Sequence, residues 1–257
     1  MKLTRTGVLN DTHGPWHCES SLNLVLDIFE DQNLDRIVLN GDILDMYNVN
    51  SHSKKDPMVQ TLLEDELAWG RDFIANLRKR FPTQHIVYIY GNHEDRLDRY
   101  IIQNAKPFWN LLTIDKQLEL DRHNIEWLPY NNEYQLEDTK LYIQHSPPSY
   151  SVNFAMTALK KKMDASYIYG CTHRMDFAAV TGKFGQYEVW GNGWLGSTNA
   201  TPEHERIFKY TKGHSNWQKC AMLVTIADGT EYFVEQFPIR ESRGVFSAVV
   251  SGHYYEI

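Results

Sequence analysis

The stretch HIVYIYGNHEDRLDRY, residues 85–100, joins a strand to a helix through a single glycine. HIVYIY has the β-branched and aromatic composition of a buried strand, and Gly91 stops it. The following EDRLDRYIIQNA has helical periodicity, so the stretch reads as the strand-then-helix unit of an α/β protein. Asn92 and His93 lie at the junction, beyond the end of the strand, where ligands of such folds bind.

The same alternation continues on both sides of this stretch. Upstream, a strand ends near GVLND, SSLNLVLDIFEDQ reads as a helix, RIVLNGD as a strand broken by Gly41, and Met58 to Arg80 as an amphipathic segment closed by Pro82. Downstream, KLYIQH and ASYIYG read as strands separated by the helical VNFAMTALKKKM, and residues 176 to 250 are β-rich. The sequence therefore predicts an α/β fold with a β-rich C-terminal part.

Composition and charge narrow the classes of function. The chain has 257 residues with 42% hydrophobic content, which suffices for one sizeable core, so we expect a single domain over residues 1–257. A formal charge of -7 gives no general attraction for nucleic acid or anionic membrane, so any phosphate binding must be local. We expect no membrane partner, because no apolar run is long enough to span a bilayer and the N-terminus lacks a signal-peptide pattern. Three widely spaced cysteines indicate a reduced compartment, the cytoplasm.

Side chains that bind metals follow five predicted strands in turn. In order they are Asp11 and His13, Asp42 and Asp45, Asn92 and His93, His145, and Cys171 and His173. An Asp or Asn beside a glycine is usually turn chemistry, but such residues after all five strands are not expected by chance. Carboxylate, imidazole and carboxamide groups are ligands for Mn²⁺, Fe or Zn²⁺. Two such ions sharing a carboxylate would activate a bridging water as hydroxide for phosphate ester hydrolysis.

The ordered motifs DTH, GDILD, GNHE, a later His and GCTH resemble the signature of the calcineurin-like metallophosphoesterases. The resemblance implies a β-sandwich flanked by helices, a four-layer α/β/β/α fold with the metals at one rim. It implies one metal on Asp11, His13 and His173, a second on Asn92, His145 and Cys171, and Asp42 as the bridge. His93 would be the general acid for the leaving group, with Asp45 steering its ring. An imidazolium held by a carboxylate would supply the proton near neutral pH.

Cys171 departs from the family pattern, because GCTH stands where GHTH is usual. The cysteine either ligates as a thiolate, which Zn²⁺ accepts well, or leaves the second site one ligand short. We expect the second site to be retained with altered affinity or selectivity. Mn²⁺ is the expected metal, with Zn²⁺, Fe or Ni²⁺ as alternatives. To bring Cys171 and His173 to one centre, a turn after Gly170 must bend the chain, which a glycine permits.

Three basic side chains are candidates for binding substrate. Arg174 adjoins a proposed ligand, and His52 and Lys54 follow the GDILD loop within reach of a phosphate. A solvated loop explains His52 and Lys54 equally well, although positioning a substrate usually needs donors beyond the metals.

The leading hypothesis is a hydrolase of a phosphomonoester or a small phosphodiester such as a nucleotide. A nuclease acting on DNA or RNA is the enzymatic alternative, although a protein that grips several backbone phosphates normally displays clustered Lys and Arg. A non-catalytic scaffold that lost its second metal through Cys171 is the alternative from another class, and retention of His93 and Asp45 argues against it. GNHEDRLDRY is also similar to bacterial and bacteriophage members of the family, which implies a bacterial cell or a phage-infected host.

Overall fold

The computed structural model describes residues 1–50, 55–161, 164–183, 185–198, 200–209 and 215–257. Its strands are β1 (Leu3–Leu9), β2 (Arg36–Asn40), β3 (His85–Ile89), β4 (Ile125–Leu128), β5 (Tyr134–Gln135), β6 (Leu141–Gln144), β7 (Ser166–Tyr169), β8 (Asp176–Gly182), β9 (Gly185–Gly191), β10 (Cys220–Ala227), β11 (Glu231–Pro238), β12 (Arg240–Ser242), β13 (Val245–Val250) and β14 (His253–Glu256). Its α-helices are α1 (Glu19–Asp31), α2 (Leu63–Arg80), α3 (Glu94–Ala105), α4 (Trp109–Leu112), α5 (Ile114–Gln117), α6 (Phe154–Lys161) and α7 (Pro202–Ile207). Short 3-10 turns cover Tyr47–Val49, Lys106–Phe108 and Asp121–His123.

Two sheets carry the strands that lead to the candidate site. The first has the order β11-β10-β1-β2-β3-β4, and β1 to β4 are parallel to one another. The second has the order β5-β6-β7-β9-β8, with β6, β7 and β9 parallel. Parallel strands require crossover connections, which the intervening helices and loops provide.

The two sheets pack face to face through an apolar core. Val8, Val38 and Val87 from the first sheet lie in one cluster with Ile143 and Ile168 from the second, all fully buried. The neighbours of these valines on the same strands, such as Leu39, point to the opposite face. Strands buried on both faces read as continuous apolar runs, which is why RIVLN and HIVYI lack alternation.

Helices cover the outer faces of both sheets. Leu26 of α1, Ile74 of α2 and Leu97 of α3 are in the cluster that packs against Leu39 of β2. On the other side, Phe154 of α6 and its helical neighbours pack with the aromatic side chains of β7. The layers therefore run α/β/β/α, as the resemblance implied.

The C-terminal strands form a third, small sheet with the order β12-β13-β14. Ala248 and Val250 of β13 are buried in the cluster that also holds α1. Within the described ranges, no helix is both long enough and apolar enough to cross a membrane.

The structure corrects the element assignments in four places. The helix expected from Met58 begins at Leu63, and the fourth predicted strand, KLYIQH, is β6, because β4 and β5 precede it. The β-rich C-terminal part also contains α7. Finally, the five predicted strands belong to two sheets: β1, β2 and β3 to the first, and β6 and β7 to the second.

Candidate metal centre

The seven predicted ligands converge where the strand ends of both sheets meet. Every one lies in a loop directly after a strand: Asp11 and His13 after β1, Asp42 after β2, Asn92 after β3, His145 after β6, and Cys171 and His173 after β7. All of them are buried except Asn92 and Cys171, which are partly exposed. Loops from two facing sheets therefore build one cluster of donors.

Asp11, His13 and His173 form the first group of potential metal ligands. Asp11 Oδ1 lies 3.2 Å from His173 Nε2, and the two Nε2 atoms of His13 and His173 are 3.0 Å apart. Asp11 Oδ1 is buried and makes no hydrogen bond. A buried carboxylate oxygen without a partner is costly, and a cation would satisfy it.

Asp42, His145 and Cys171 form the second group. Asp42 Oδ2 lies 3.2 Å from His145 Nε2, a nitrogen that is buried and makes no hydrogen bond. The thiol of Cys171 donates to Asn92 Oδ1 at 3.0 Å, so these two side chains are adjacent. The structure thus brings together Asp42, Asn92, His145 and Cys171, the set that the resemblance implied for the second metal and its bridge.

Backbone and carboxylate acceptors fix which nitrogen of each imidazole is free. His145 Nδ1 lies 2.6 Å from the carbonyl oxygen of Asn40, an acceptor only, so Nδ1 carries the hydrogen. His13 Nδ1 similarly lies 2.9 Å from Asp45 Oδ2. In both residues Nε2 then faces the cluster, and it carries the lone pair once the ring is neutral. This is the arrangement of metal-binding histidines, whose second nitrogen is held by a carbonyl or carboxylate.

Charge within the cluster shifts the pKa values of its members. Burial alone would lower the pKa of His13, but the nearby carboxylates of Asp11 and Asp45 raise it to about 10. Burial would raise the pKa of Asp42, but His145 and His93 hold it well below its usual range. The same cluster therefore keeps Asp42 ionised, as a metal ligand must be.

Five of the candidate ligands have left-handed backbone conformations. Asp11, His13, Asp42, Cys171 and His173 have φ between 50° and 64°. This region is uncommon for residues other than glycine and costs free energy, and such residues concentrate at functional sites. The free energy spent on these backbone conformations is consistent with loops whose role is to position their side chains at the cluster.

The turn at GCTH differs from the sequence-based expectation. Thr172 donates its N–H to the carbonyl of Gly170 at 2.7 Å, which makes Cys171 the centre of a tight three-residue turn with φ of 64°. Cys171 and His173, rather than Gly170, take the positive φ values. Gly170 is needed for space instead, since a Cβ there would lie 2.9 Å from Asp11 Oδ2 and 3.1 Å from His145 Nδ1.

His93 lies beside the cluster, but its contacts differ from those expected of an imidazolium held by a carboxylate. Its Nδ1 donates to the backbone carbonyl of Asp45 at 2.7 Å, whereas the Asp45 carboxylate is 3.6 Å away and is hydrogen-bonded to His13 instead. Its Nε2 accepts from Arg96 Nη2 at 2.6 Å and lies 3.6 Å from Asp42 Oδ2. Burial, with the Arg96 cation adding to it, lowers the pKa of His93 to about 3. The ring is neutral in this structure.

Two residues that the sequence analysis did not single out support the site. The buried carboxylate of Glu94 accepts hydrogen bonds from the N–H groups of Asp42, Leu44 and Gly91 at 2.9, 3.0 and 2.8 Å. Arg96 binds His93 as described and donates to the Asp45 carbonyl at 2.9 Å. Glu94 is the last residue of the GNHE motif. Arg96 follows His93 by three residues on a predicted helix, and this spacing would have identified Arg96 as a neighbour of His93.

Of the predicted substrate-binding residues, Arg174 lies in the described part of the chain and contacts the segment after His145. Arg174 donates to the carbonyl of Tyr150 at 3.0 Å and lies over the ring of Phe154 at 5.8 Å. It therefore anchors the loop after His145, which leads to α6. His52 and Lys54 lie outside the described residues.

The donor set suits a pair of divalent cations. Mn²⁺, Fe and Zn²⁺ bind carboxylate oxygens, imidazole nitrogens and amide oxygens. The thiol in the second group favours Zn²⁺ there. Asp11 Oδ1 and His145 Nε2, which make no hydrogen bonds, lie in different groups. Each group therefore contains an atom that a cation would satisfy. The residues present fit two ions.

Sequence comparison identifies the family to which this arrangement belongs. The calcineurin-like phosphoesterase pattern matches residues 4–255. The chain belongs to this family. Membership supports hydrolysis of phosphate esters and, together with the two donor groups, divalent metal ions as cofactors.

Solved structures show similarity along most of the chain at low sequence identity. Vps29 from Chaetomium thermophilum is 8% identical with a TM-score of 0.46, covering 99% of this chain and 95% of its own. Vacuolar Protein Sorting 29 from Cryptosporidium parvum is 10% identical with a TM-score of 0.48, covering 99% and 98%. A dimetal phosphatase from Danio rerio is 10% identical with a TM-score of 0.42, covering 90% and 98%. Similarity at this level bears on neither substrate nor partner, and no curated protein matches the chain.

Proposed function

We propose that this protein is a binuclear metal-dependent phosphoesterase that hydrolyses a phosphomonoester or a small, nucleotide-like phosphodiester. The observation that carries the proposal is the pair of buried donor groups at one rim, each with a polar atom that has no hydrogen bond. Leaving two such atoms without partners would cost roughly 1–3 kcal/mol each.

Each donor group would hold one ion, with Asp42 between them. Asp11, His13 and His173 would bind the first ion, and Asn92, His145 and Cys171 the second. Bound ions would supply positive charge to the phosphoryl oxygens and promote the ionisation of a water molecule. Mn²⁺ is the metal we expect most, and Zn²⁺ would be favoured if the Cys171 thiolate ligates.

The chain's own residues then orient the ligands and contact the departing group. The carboxylate of Asp45 holds His13, and its carbonyl holds His93. His93 lies next to Asp42, so the Arg96–His93 pair would lie beside the oxygen that leaves the phosphorus, and Arg96 would supply the N–H donors because both ring nitrogens of His93 are already bonded. Because Nε2 of His93 accepts from Arg96, we assign charge stabilisation at that oxygen to the Arg96–His93 pair rather than to a free imidazolium.

Several finer assignments belong to the same proposal. Residues 1–257 would form one catalytic domain. The three cysteines are free, which supports a reducing compartment such as the cytoplasm. The similarity of GNHEDRLDRY to bacterial and bacteriophage sequences supports a microbial origin.

Metal content and turnover together test the proposed function. Purified protein, stripped of metal and reloaded with Mn²⁺ or Zn²⁺, would be assayed with p-nitrophenyl phosphate and bis-p-nitrophenyl phosphate. We expect hydrolysis of at least one of them, dependent on the added metal. Bound metal without turnover of either ester would favour a scaffold. Turnover of single-stranded DNA or RNA in preference to both esters would favour a nuclease.

A further inference from the structure

A small cavity lies along one face of α3, next to His93. Its volume is about 60 Å³, and its walls are Val49 and four residues of the helix, Arg96, Arg99, Tyr100 and Gln103. The helical residues recur at three- and four-residue spacing, so they share one face. A cavity of this size holds several water molecules, so it has room for a small group such as a phosphate.

Arg96 joins this cavity to the candidate metal centre. One of its terminal nitrogens contacts His93 Nε2 at 2.6 Å, and the other donates to the Asp45 carbonyl at 2.9 Å. A guanidinium has five N–H donors, so these two contacts leave donors that face elsewhere. Its side chain is 12% exposed, which strengthens its interaction with an anion relative to a solvated arginine.

Arg99 adds a second positive charge to the same cavity. Its main partner is Asp95, one helical turn away, with which it forms an ion pair at 2.8 Å. About half of the Arg99 side chain is exposed. Exposed pairs of this kind contribute little, so a phosphate can compete for the guanidinium. The Asp45 carboxylate is 4.0 Å from Arg96, the nearest acidic group to that side chain among the ion pairs of the described residues. Two arginines at one small cavity are suited to a phosphate, which accepts paired hydrogen bonds from each.

We propose that the departing part of the substrate carries a phosphate of its own, bound by Arg96 and Arg99, so that the substrate class is a phosphoanhydride such as a nucleoside diphosphate. The inference rests on the proposed function, in which the Arg96–His93 pair lies beside the departing oxygen. The oxygen of a water molecule bonds to the terminal phosphorus while the bond from that phosphorus to the bridging oxygen breaks. The electron pair of the broken bond stays with the bridging oxygen on the inner phosphate. The products are a nucleoside monophosphate and inorganic phosphate, with one proton released to solvent. An inner phosphate departs as a stable anion, so arginine charge can replace a proton donor.

Turnover of two substrates by matched variants tests this assignment. Metal-loaded wild type, Arg99→Ala and the control Arg122→Ala are assayed with ADP and with p-nitrophenyl phosphate, whose departing group has no phosphate. Arg122 is an exposed arginine before the N-terminal end of β4, whereas the candidate centre lies beyond the carboxyl ends of the parallel strands. Arg99→Ala should lower kcat/KM for ADP by about 10-fold or more, the loss expected for one charge-assisted hydrogen bond, and should lower it less for the nitrophenyl ester. Arg122→Ala should change neither. An equal loss on both substrates, or no loss on ADP, would overturn the inference.

A binding measurement separates failure of this inference from failure of the proposed function. Calorimetric titration compares AMP with the methylene-bridged analogue of ADP, which binds without being cleaved. Wild type should bind the analogue about 10-fold more tightly than AMP, and Arg99→Ala should lose most of that difference. Equal affinity for the two ligands in wild type would overturn the inference, even in a protein that hydrolyses nitrophenyl esters. If no ester is hydrolysed, the proposed function fails while the titration still decides whether a second phosphate is bound.

Discussion

Single side chains decide the chemistry of this site, and the thiol of Cys171 is the least usual among them. It contacts Asn92 Oδ1 and lies in the group with Asp42 and His145. Cys171 is also the centre of a strained turn, so its position is enforced by the backbone. A position enforced in this way keeps the sulfur beside Asn92 and the second donor group.

Replacing Cys171 by histidine should shift metal preference from Zn²⁺ toward Mn²⁺, because a harder nitrogen replaces the thiolate while the number of ligands is kept. Activity should be retained. Metal titrations of wild type, Cys171→His and Cys171→Ser measure the effect, with Ser as the control that keeps the size and weakens the ligand. Identical affinities and selectivities in all three proteins would show that Cys171 does not ligate.

Glu66 gives a prediction for the pH dependence of stability. Burial and the charge of Asp45 raise its pKa to about 8, while hydrogen bonds from the Asn48 side chain and the Tyr47 N–H partly oppose the shift. The folded state therefore holds a proton that the unfolded chain has already lost above its usual pKa of 4.5. This contribution to stability is complete below that value and is lost as pH rises through the folded pKa.

Glu66→Gln should accordingly flatten the fall in the free energy of unfolding between about pH 5 and about pH 8. Urea unfolding at several pH values measures the slope for wild type and variant. Glu64→Gln, on the exposed side of the same helix, is the control and should keep the wild-type slope. Parallel slopes in wild type and Glu66→Gln would contradict the assignment.

Residue types predicted which side chains gather at the site, but not how the backbone delivers them. Asp and Asn are common with positive φ, so Asp11 and Asp42 gave some signal. His13 and His173 gave a signal of the same kind, because histidine is also enriched at positive φ, whereas nothing local favours a left-handed Cys171. Those conformations are maintained by contacts between distant segments, such as the hydrogen bond from the Cys171 N–H to Asp11 Oδ2 at 2.9 Å.

At the scale of elements, the start of α3 holds the loop after β2. Glu94, the first residue of the helix, receives three backbone N–H groups and the hydroxyl of Tyr88 at 2.8 Å. Both carboxylate oxygens are used, each by two donors. This one side chain fixes the backbone that presents Asp42.

Glu94→Gln should weaken both stability and metal binding, because the amide nitrogen cannot accept and would face donors. Each N–H left unpaired costs about 1–3 kcal/mol. Urea unfolding and Mn²⁺ titration measure the two effects. Glu94→Asp, which keeps the charge but shortens the side chain, should lose less stability than Glu94→Gln. A Glu94→Gln protein with wild-type stability and metal affinity would show that the loop does not depend on this contact.

Arg78 plays a comparable part at the far end of the first sheet. It donates to the carbonyls of Phe81, Gln84, His123 and Asn124 at 2.8 to 2.9 Å, joining the end of α2 to the turn before β4. Arg78→Lys should lower the free energy of unfolding by about 1.5–3 kcal/mol, since an ammonium cannot reach four carbonyls in this planar arrangement. Activity of the folded protein should be unchanged. The exposed Arg71→Lys is the control, and an equal, small effect of both substitutions would contradict the prediction.

The elements that sequence patterns predicted well are those with long apolar runs. β2, β3 and the GVL end of β1 are buried on both faces, so their composition alone identified them. β4 was missed because IEWL exposes Glu126 and Trp127, and β5 was missed because it has only two residues. Their pairing with β3 and β6 comes from the whole fold and leaves no local signal.

The whole molecule brings two sheets to one rim. From the sequence, five strand ends appeared to supply one edge, but the division between sheets depends on long-range pairing, such as β1 with β10. Packing through Val8, Val38, Ile143 and Ile168 fixes the distance between the two sets of loops. A rigid core between the sheets therefore sets the spacing of the two donor groups.

Metal count per chain tests the central claim, that two ions occupy one centre joined by Asp42. Protein reloaded with Mn²⁺ or Zn²⁺ and freed of excess metal would be measured by elemental analysis alongside thermal unfolding, for wild type and Asp42→Ala. We expect two ions per wild-type chain and a higher Tm with metal than without it. In Asp42→Ala we expect fewer bound ions per chain and loss of hydrolysis. Asp42→Ala that keeps two ions and near-wild-type turnover, or wild type that binds none, would contradict it.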